Sequence, residues 1–374
     1  MKKIGIITHY YESQNYGGLL QAYALCKKLE QLGYSAEQIQ YKHVDAVPKV
    51  IETQKRWTRE RVITGIGYRI SKITKRKFHK NMSLRRKALA TFRESIPHSN
   101  EIYTAQTVKE CNEVYDVFIT GSDQVWNVAW YDEAYFLKFV INKPKYSYAA
   151  SVGTEDFDNK TQKLFKENLA GYSGISVRES TSVELLQPLT NNIVHWVLDP
   201  TLLFMSSEWD EVCSERKIQE EYLFCYFLGE DLTQRELAKE YAKKCGLKIV
   251  TLPHLGGRIR KCDNKFGDIQ LWDVTPLDFI SLVKYSKCIF TDSFHACVFA
   301  NIYNREFFVF DRTGSTKMSG RIVSLLKLFG NIERFCESKE KKSIDYIESL
   351  AFEQERPTDL AKKYNESMEF LQGI

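Results

Sequence analysis

The sequence predicts an α/β protein in which two Rossmann-like domains with parallel sheets face a cleft. The chain opens with an apolar run at residues 4–8, a polar loop, an amphipathic helix closed by Gly33 and a second short strand at 36–41. The same alternation of strand and helix returns from Asp116, after a polar interruption, and again in the second half of the chain. Such alternation is typical of parallel sheets, so we divide the chain into an N-terminal domain at 1–210 and a C-terminal domain at 211–374.

In each half, short apolar runs bounded by polar or Pro-containing loops predict the strands. The runs of the first half after the interruption are DVFIT, KYSYAAS, GISVRES and NIVHWVLDP, with a helical pattern at 159–171. Those of the second half are EYLFCYFLG, LKIVTLP, KCIFTDS and REFFVFD, which alternate with predicted helices. One of these helices carries Thr275 at its N-cap and Pro276 at its first position, and the last spans residues 358–372.

Residues 48–100 interrupt the pattern and predict a basic, helical insertion in the first domain. Within it, residues 55–87 hold thirteen Lys and Arg against one acid, whereas the whole chain has a net charge of only +5. This run fits either a solvated helical face or a surface that contacts an anionic membrane. No nucleic-acid-binding motif accompanies it, so we expect no nucleic-acid partner.

The N-terminus and the cysteines bear on compartment and cofactors. The first apolar run is too short for a signal peptide, and no run approaches the ~20 residues of a membrane span, which predicts a cytoplasmic protein. The nine cysteines include no CxxC pair, and no His/Cys cluster has metal-ligand spacing. We therefore expect neither a disulfide framework nor a metal or cofactor.

Two post-strand loops of the first half carry residues suited to sugars, because ligands of such sheets bind beyond the carboxyl ends of the strands. In the loop at 13–18, two adjacent glycines precede a helix, which allows either close approach of a ligand or simply a tight turn. In the loop at 121–127, polar side chains accompany Trp126, whose ring fits either a sugar face or the core. Asp123 in the same loop also suits a helix cap.

Charged residues after three other strands suit an anion. Arg178 directly follows a buried strand, where it fits bidentate contact with a carboxylate or phosphate, or an ion pair with Glu179 or at the domain interface. His295 opens a helix that Asp292 or Ser293 can cap, and its chemistry suits general acid–base work or a purely structural role. Two further arginines, Arg312 and Arg321, either add positive charge to an anion pocket or are solvated surface residues. Among the other histidines, His9 is the strongest candidate because it ends the first strand.

Seven short stretches, taken in order, resemble the polysaccharide pyruvyl transferase family. They are NYGGLLQAYAL at 15–25, GSDQVWN at 121–127, YAASVG at 148–153, SVRE at 176–179, LDPTLL at 198–203, FTDSFHA at 290–296 and RIVSLL at 321–326. The resemblance implies a bacterial enzyme with a GT-B-like fold. It would transfer pyruvate from phosphoenolpyruvate to a sugar of a capsule or exopolysaccharide, or to its lipid-linked oligosaccharide precursor, as a ketal. Phe294 stands where many members carry an arginine near the histidine.

The resemblance also implies site residues, with the acceptor on the first domain and the donor on the second. Arg178 and His295 are the expected catalytic residues. The expected donor-binding residues are Arg178, Ser293, His295, Arg312 and Arg321. The expected acceptor-binding residues are Asn15, Tyr16, Gly17, Gly18, Ser122, Asp123, Gln124 and Trp126. Two other functions remain open: a glycosyltransferase that uses a nucleotide sugar in the same cleft, and a non-catalytic glycan-binding protein.

Overall fold

The computed structural model describes residues 1–43, 65–254, 260–312, 319–350 and 358–374. In these ranges the strands pair in parallel as a five-stranded sheet, a six-stranded sheet and a two-stranded pair, with helices packed around them, which confirms the predicted α/β class. Strands at the centre of each sheet are buried on both faces: every residue of the strand Val117–Thr120 in the first sheet and of the strands Tyr222–Tyr226 and Cys288–Thr291 in the second is buried. Such continuous apolar runs are expected where helices cover both faces of a parallel sheet.

The first sheet has the order β3-β2-β1-β4-β5. Its strands are β1 (Lys3–Ile7), β2 (Ser35–Tyr41), β3 (His98–Tyr103), β4 (Val117–Thr120) and β5 (Lys145–Ser147). A short parallel pair, β6 (Ile175–Val177) and β7 (Val194–Trp196), continues it through bridges such as that between Tyr146 and Gly174. Its helices are α1 (Tyr16–Gln31), α2 (Gly65–Glu94), α3 (Asn159–Asn168) and α4 (Ser180–Leu186), with 3₁₀ turns at Val108–Glu113, Val128–Trp130, Glu133–Phe136 and Gln187–Leu189.

The second sheet has the order β10-β9-β8-β11-β12-β13. A 3₁₀ turn at Pro200–Leu203 and the short helix α5 (Ser206–Asp210) lead into it. Its strands are β8 (Tyr222–Tyr226), β9 (Lys248–Thr251), β10 (Ile269–Gln270), β11 (Cys288–Thr291), β12 (Glu306–Phe310) and β13 (Phe335–Cys336). Its helices are α6 (Leu232–Cys245), α7 (Pro276–Lys284), α8 (Phe294–Ile302), α9 (Ser319–Phe329) and α10 (Ile344–Ser349), with a 3₁₀ turn at Ile332–Arg334; α11 (Thr358–Gln372) ends the chain.

The basic insertion is helical over its described part, residues 65–94, whereas residues 44–64, including part of the basic run, lie outside the described residues. The last three residues of the predicted insertion belong instead to the edge strand β3, which the sequence analysis did not predict. Helix α2 also ties the two domains together. The buried Arg85 donates hydrogen bonds to carbonyl oxygens of the second domain: those of Pro253 at 2.6 Å and Leu271 at 2.8 Å.

The C-terminal helix α11, which the sequence analysis grouped with the second domain, crosses back to the first. The backbone N–H of Leu198 donates to Ser367 Oγ at 2.9 Å, and Lys2 Nζ donates to the carbonyl of Ile374 at 3.1 Å. Among the described helices, none has the combined length and apolar character needed to span a membrane.

Candidate active site in the interdomain cleft

Loops from both domains meet at the carboxyl ends of the central strands. Tyr16, at the start of α1, stacks on Phe279 of α7 with ring centroids 5.3 Å apart and nearly parallel. Beside this contact, the first domain contributes carboxylates and an arginine from the loops after β4, β6 and β7. The second domain contributes His295 from the first turn of α8. This is the edge at which parallel α/β sheets bind their ligands.

Asp199, in the segment that follows β7, is the centre of the site and is fully buried. Its Oδ1 accepts hydrogen bonds from the Thr201 hydroxyl at 2.6 Å and the Thr201 N–H at 3.0 Å. Its Oδ2 accepts from Arg178 Nη1 at 2.9 Å and Ser122 Oγ at 3.3 Å. Burial favours the neutral acid, but the nearby His295 and Arg178 outweigh it and hold the pKa of Asp199 well below its usual range. Asp199 is therefore a buried carboxylate.

His295 lies in the cleft with 6% of its surface exposed. Its Nε2 is 3.7 Å from Asp199 Oδ2 and has no hydrogen-bond partner among the described residues. The other edge of the ring packs against Gly17 of the first domain, so closely that a Cβ built on Gly17 would overlap Nδ1. Gly17 is therefore needed for the approach of the histidine across the domain interface.

Arg178 has only 2% of its side chain exposed and is surrounded by carboxylates. Besides the bond to Asp199, its Nε donates to Glu179 at 3.2 Å, and its Nη2 lies 3.5 Å from Asp123 Oδ1. Burial opposes the charge, but Glu179, Asp199 and Asp123 outweigh it and raise the pKa of Arg178 above its usual value. Of the alternatives left open for Arg178, the ion pair with Glu179 is present, and contact of Arg178 with a donor stays a prediction. Two of its nitrogens are already bonded, and only Nη2 is without a hydrogen bond.

Phe294 covers this buried arginine. The Cζ atom of Arg178 lies 4.3 Å from the centroid of the Phe294 ring, a cation–π contact between the domains. The residue next to His295 is therefore an aromatic ring that shields Arg178.

Asp123 of the first domain and Arg321 of the second extend the charged cluster. Burial works against ionisation of Asp123, but Arg178, His295 and Arg321 together lower its pKa. Its carboxylate accepts no hydrogen bond from any described residue; Arg178 and Arg321 approach it only to 3.5 and 4.0 Å. Burial, together with the charge of Arg178, lowers the pKa of Arg321 to about 10. With the Gln124 amide oriented to suit its neighbours, its oxygen accepts from Arg321 at 2.8 Å.

Arg312 and Ser293, the remaining predicted donor residues, flank the end of β11. Arg312 Nη2 donates to the carbonyl of Asp292 at 2.9 Å. The Asp292 carboxylate in turn accepts from the N–H groups of Leu228 and Gly229 at 2.7 and 2.6 Å. Ser293 occupies the N-cap of α8 but makes no capping bond through its side chain.

Several predicted acceptor residues are buried in the protein or make hydrogen bonds within it. Trp126 is fully buried: its ring stacks on Phe136, so the prediction that it offers a face to a sugar is wrong. Ser122 is also fully buried and donates to the Ala149 carbonyl at 2.8 Å. Tyr16 is buried against Phe279, as described above. Asn15 caps α1 by accepting from the N–H of Gly18 at 3.3 Å.

Asn15, Asp123 and Gln124, by contrast, line a cavity of about 510 Å³ in the first domain. Its other lining residues include His9, His43 and Trp130, of which the sequence analysis singled out only His9. Trp130 lies four residues beyond Trp126 along the chain and, unlike Trp126, is exposed. Asp199 was also missed, although it lies inside the LDPTLL stretch and follows an apolar strand, the signal that selected Arg178.

The comparison with known families decides the family. The family model described as polysaccharide pyruvyl transferase matches residues 15–314. The chain belongs to the polysaccharide pyruvyl transferase family. This membership confirms the resemblance read from the sequence and makes the protein a transferase. No curated protein sequence matches this chain.

Solved structures with the same fold include enzymes that act on nucleotide sugars. The UDP-GlcNAc 2-epimerase of Methanocaldococcus jannaschii superposes with a TM-score of 0.54 at 12% identity, over 98% of each chain. Its complex with UDP-GlcNAc and UDP gives 0.53 at 14% identity over 100% of each chain. MnaA of S. aureus, solved with UDP, gives 0.52 at 13% identity over 99% of this chain and 91% of its own. The predicted GT-B-like arrangement of two Rossmann-like domains is thereby confirmed.

Proposed function

We propose that this transferase moves pyruvate from phosphoenolpyruvate to a sugar of a bacterial cell-surface polysaccharide or its lipid-linked precursor. The product is a pyruvate ketal, and phosphate is released. The observation that carries the proposal is the geometry at His295: an imidazole nitrogen without a hydrogen bond lies 3.7 Å from a buried, ionised carboxylate in the cleft. In a family of pyruvyl transferases, such a histidine is suited to donate the proton that this chemistry requires.

The donor is proposed to lie on the second-domain side of Asp123. Phosphoenolpyruvate is strongly anionic, and Arg312, Arg321 and the N-terminus of α8 supply positive charge on that side. Arg178 supports this region mainly by holding Asp199 and Asp123 in place, with Nη2 as its one nitrogen lacking a hydrogen bond.

The proposed reaction begins with transfer of a proton from His295 to the methylene carbon of phosphoenolpyruvate. The electron pair of the C=C bond forms the new C–H bond and leaves the adjacent carbon electrophilic. One sugar hydroxyl bonds to that carbon, and the C–O bond to phosphate breaks, with phosphate taking the electron pair. A second hydroxyl then closes the ketal. Of the two hydroxyl protons, one restores His295 and the other leaves with phosphate.

Asp123 is proposed to orient the attacking hydroxyl. Its ionised carboxylate lies between the charged cluster and the first-domain cavity, and it accepts no hydrogen bond from any described residue. A hydroxyl that donates to it would satisfy a carboxylate that the protein leaves without a close donor.

The test of His295 separates chemistry from donor binding. His295→Gln keeps a hydrogen-bonding side chain of similar size but cannot transfer the proton, so we expect kcat to fall by about 10²–10⁴-fold. Phosphate release would be followed with phosphoenolpyruvate and a panel of saccharide and lipid-linked acceptors. Calorimetry should show phosphoenolpyruvate binding within a few-fold of the wild type.

The control is His195→Ala, which removes an exposed histidine at the far edge of the first sheet and should leave kcat unchanged. Near-normal turnover in His295→Gln would remove His295 from the mechanism.

A nucleotide-sugar glycosyltransferase is the second candidate, favoured by one observation. Arg178 is held by three carboxylates, and the arginine that the resemblance implies shortly before His295 is absent, which reduces the positive charge available to phosphoenolpyruvate. Calorimetry with a panel of nucleotide sugars decides between the two. Binding of a nucleotide sugar without binding of phosphoenolpyruvate would support the glycosyltransferase.

We further propose that α2 contacts an anionic membrane surface, where a lipid-linked acceptor would be found. The buried Phe78, Met82 and Arg85 dock one face of the helix. Arg76, Lys80 and Lys87 are exposed on another face, at helical spacing. We expect the protein to sediment with vesicles that contain phosphatidylglycerol and not with phosphatidylcholine alone.

Charge reversal at Lys80 and Lys87 should abolish this sedimentation, whereas reversal at the exposed Lys239 and Lys243 of α6 should not. Equal sedimentation with both vesicle types would refute membrane contact.

A further inference from the structure

The cavity of the first domain opens beyond the carboxyl ends of β1, β2 and β4. We call it the first-domain pocket. Its volume of about 510 Å³ suits one or two sugar rings. Much of its wall is aromatic or imidazole: His9, Tyr11, Tyr41, His43, Trp130 and Tyr135.

Trp130 offers an accessible ring at this pocket. Its side chain is 51% exposed, although most tryptophans of a folded domain are largely buried. It lies on the 3₁₀ turn Val128–Trp130, which Asn127 caps by accepting from the N–H of Ala129 at 3.0 Å. The ring is nearly perpendicular to that of His9, with centroids 6.3 Å apart. A fixed, exposed aromatic face beside polar groups is suited to the apolar face of a sugar ring.

Two imidazoles beside it are each held through one nitrogen. His9 Nε2 lies 3.2 Å from the Gln124 carbonyl, which can only accept, so Nε2 donates and Nδ1 carries the lone pair. Burial lowers the pKa of His9, which favours this neutral form. His43 Nδ1 donates to Asp132 Oδ2 at 2.6 Å, and Tyr41 donates to the same oxygen at 2.8 Å. The second nitrogen of each ring makes no hydrogen bond to a described residue and is available to a hydroxyl.

The charges of the pocket disfavour an anion. The lining includes two acidic residues, Glu12 and Asp123, and one lysine, Lys42. The buried arginines Arg178 and Arg321 lie at Asp123, on the other side of the site. An anionic donor is therefore favoured on the arginine side, and an uncharged, hydroxyl-rich ligand in the pocket.

We infer that the first-domain pocket binds a neutral pyranoside, with the ring against Trp130 and one hydroxyl directed at Asp123. The inference rests on the proposed function, in which this pyranoside is the acceptor. It assigns acceptor recognition to Trp130, His9 and His43, in place of the buried Trp126 and Ser122.

Binding is tested without any donor, by saturation-transfer difference NMR on the full chain. The probes are the methyl pyranosides of glucose, galactose, mannose and N-acetylglucosamine, with methyl glucuronide as the anionic counterpart. We expect transfer to at least one neutral pyranoside, weaker transfer to the glucuronide, and about tenfold weaker affinity in Trp130→Ala. Trp130→Phe, which keeps an aromatic face, should retain binding.

The control is Ile193→Ala, which removes another exposed apolar side chain, on the loop before β7. Because Trp130 is half exposed, its variants should melt at the wild-type temperature. Absence of transfer from every neutral pyranoside, or transfer that Trp130→Ala leaves unchanged, overturns the inference.

The two proposals fail separately. If sugar binding depends on Trp130 but the protein neither binds nor turns over phosphoenolpyruvate, the inference about the pocket stands and pyruvyl transfer is refuted. If the protein turns over phosphoenolpyruvate and Trp130→Ala leaves the KM for the acceptor unchanged, pyruvyl transfer stands and the inference about the pocket is refuted.

Discussion

Replacing Asp199 with asparagine is the most direct test of how the site is held together. The substitution keeps the shape of the side chain and removes its charge. Asparagine can still accept from Thr201 through Oδ1. On the other side, an amide N–H₂ would meet Arg178 Nη1 and His295 Nε2, where the carboxylate now lies 2.9 and 3.7 Å away.

The cost in stability follows from these contacts. Loss of one partner from a buried ion pair usually costs about 3–5 kcal/mol, and a hydrogen bond to a charged group contributes about 1.5–3 kcal/mol. Arg178 keeps Glu179 and Asp123 as neighbours, so the guanidinium is not left without a counter-charge. We therefore expect Asp199→Asn to lower the free energy of unfolding at pH 7 by about 2–4 kcal/mol.

The stability difference between the wild type and Asp199→Asn should depend on pH, in a direction set by the pKa of Asp199. The pKa of Asp199 is depressed in the folded protein, so its stabilising contribution is complete above the unfolded value of about 3.9 and is lost as pH falls below it. At pH 3 the unfolded carboxyl is mostly protonated while the folded one is not, which removes about 1 kcal/mol. The difference in the free energy of unfolding between the wild type and Asp199→Asn should therefore be smaller at pH 3 than at pH 7 by that amount.

Chemical denaturation of both proteins at pH 7 and pH 3 measures the gap. The control is Asp116→Asn, an exposed aspartate that accepts a hydrogen bond from the N–H of Lys3 and should show a small, pH-independent change. Equal stability of wild type and Asp199→Asn at pH 7, or a gap that does not narrow at pH 3, would refute the buried ion-pair argument.

Two other substitutions have matched controls in neighbouring residues. Gly17→Ala should displace the His295 ring and abolish turnover, whereas Gly18→Ala, whose Cβ would meet its nearest neighbour at 3.5 Å, should keep it; steady-state phosphate release compares them. Arg85→Met removes the bonds from α2 to the second domain and should lower the free energy of unfolding by about 2–4 kcal/mol. Replacement of the exposed Arg86 by Met should change the free energy of unfolding by less than about 0.5 kcal/mol in the same denaturation experiment. Equal effects at both positions would show that the hydrogen bonds of Arg85 do not stabilise the domain interface.

The sequence was sufficient for the α/β class because the central strands are continuous apolar runs. β8 and β11 could be read from YLFCY and CIFT alone. The edge strand β3 could not, since its sequence HSNEIY is polar and half exposed, and an edge strand has only one neighbour to satisfy. The return of α11 to the first domain also escaped prediction, because its contacts join residues distant in sequence, such as Leu198 and Ser367.

Residues of the candidate site could be predicted when their position after a strand was enough to select them. They were missed when their role depends on which side chains the fold buries. His295 and Asp123 were chosen for their place in post-strand loops, and both lie in the cleft. Trp126 and Trp130 occupy one loop with the same side chain, and only tertiary packing buries the first and exposes the second. For Arg178 the sequence leaves open a ligand contact or an ion pair with Glu179, but it does not show that Asp123 and Asp199, from two other segments, also converge on it.

The candidate site is divided between the two domains, so its geometry depends on their relative position. His295 belongs to the second domain, whereas Asp199 and Gly17 belong to the first, so the histidine meets its carboxylate only while the interface is closed. A shift of ~1 Å between the domains is enough to reduce the rate of an enzyme about 100-fold. Arg85 makes its interdomain hydrogen bonds to second-domain carbonyls that are not among the charged groups of the site. If Arg85→Met lowers kcat as well as stability while phosphoenolpyruvate binding is kept, domain closure assembles the reacting geometry. If kcat is unchanged, the contacts of Gly17 and Phe294 with their neighbours are sufficient to hold His295 in place.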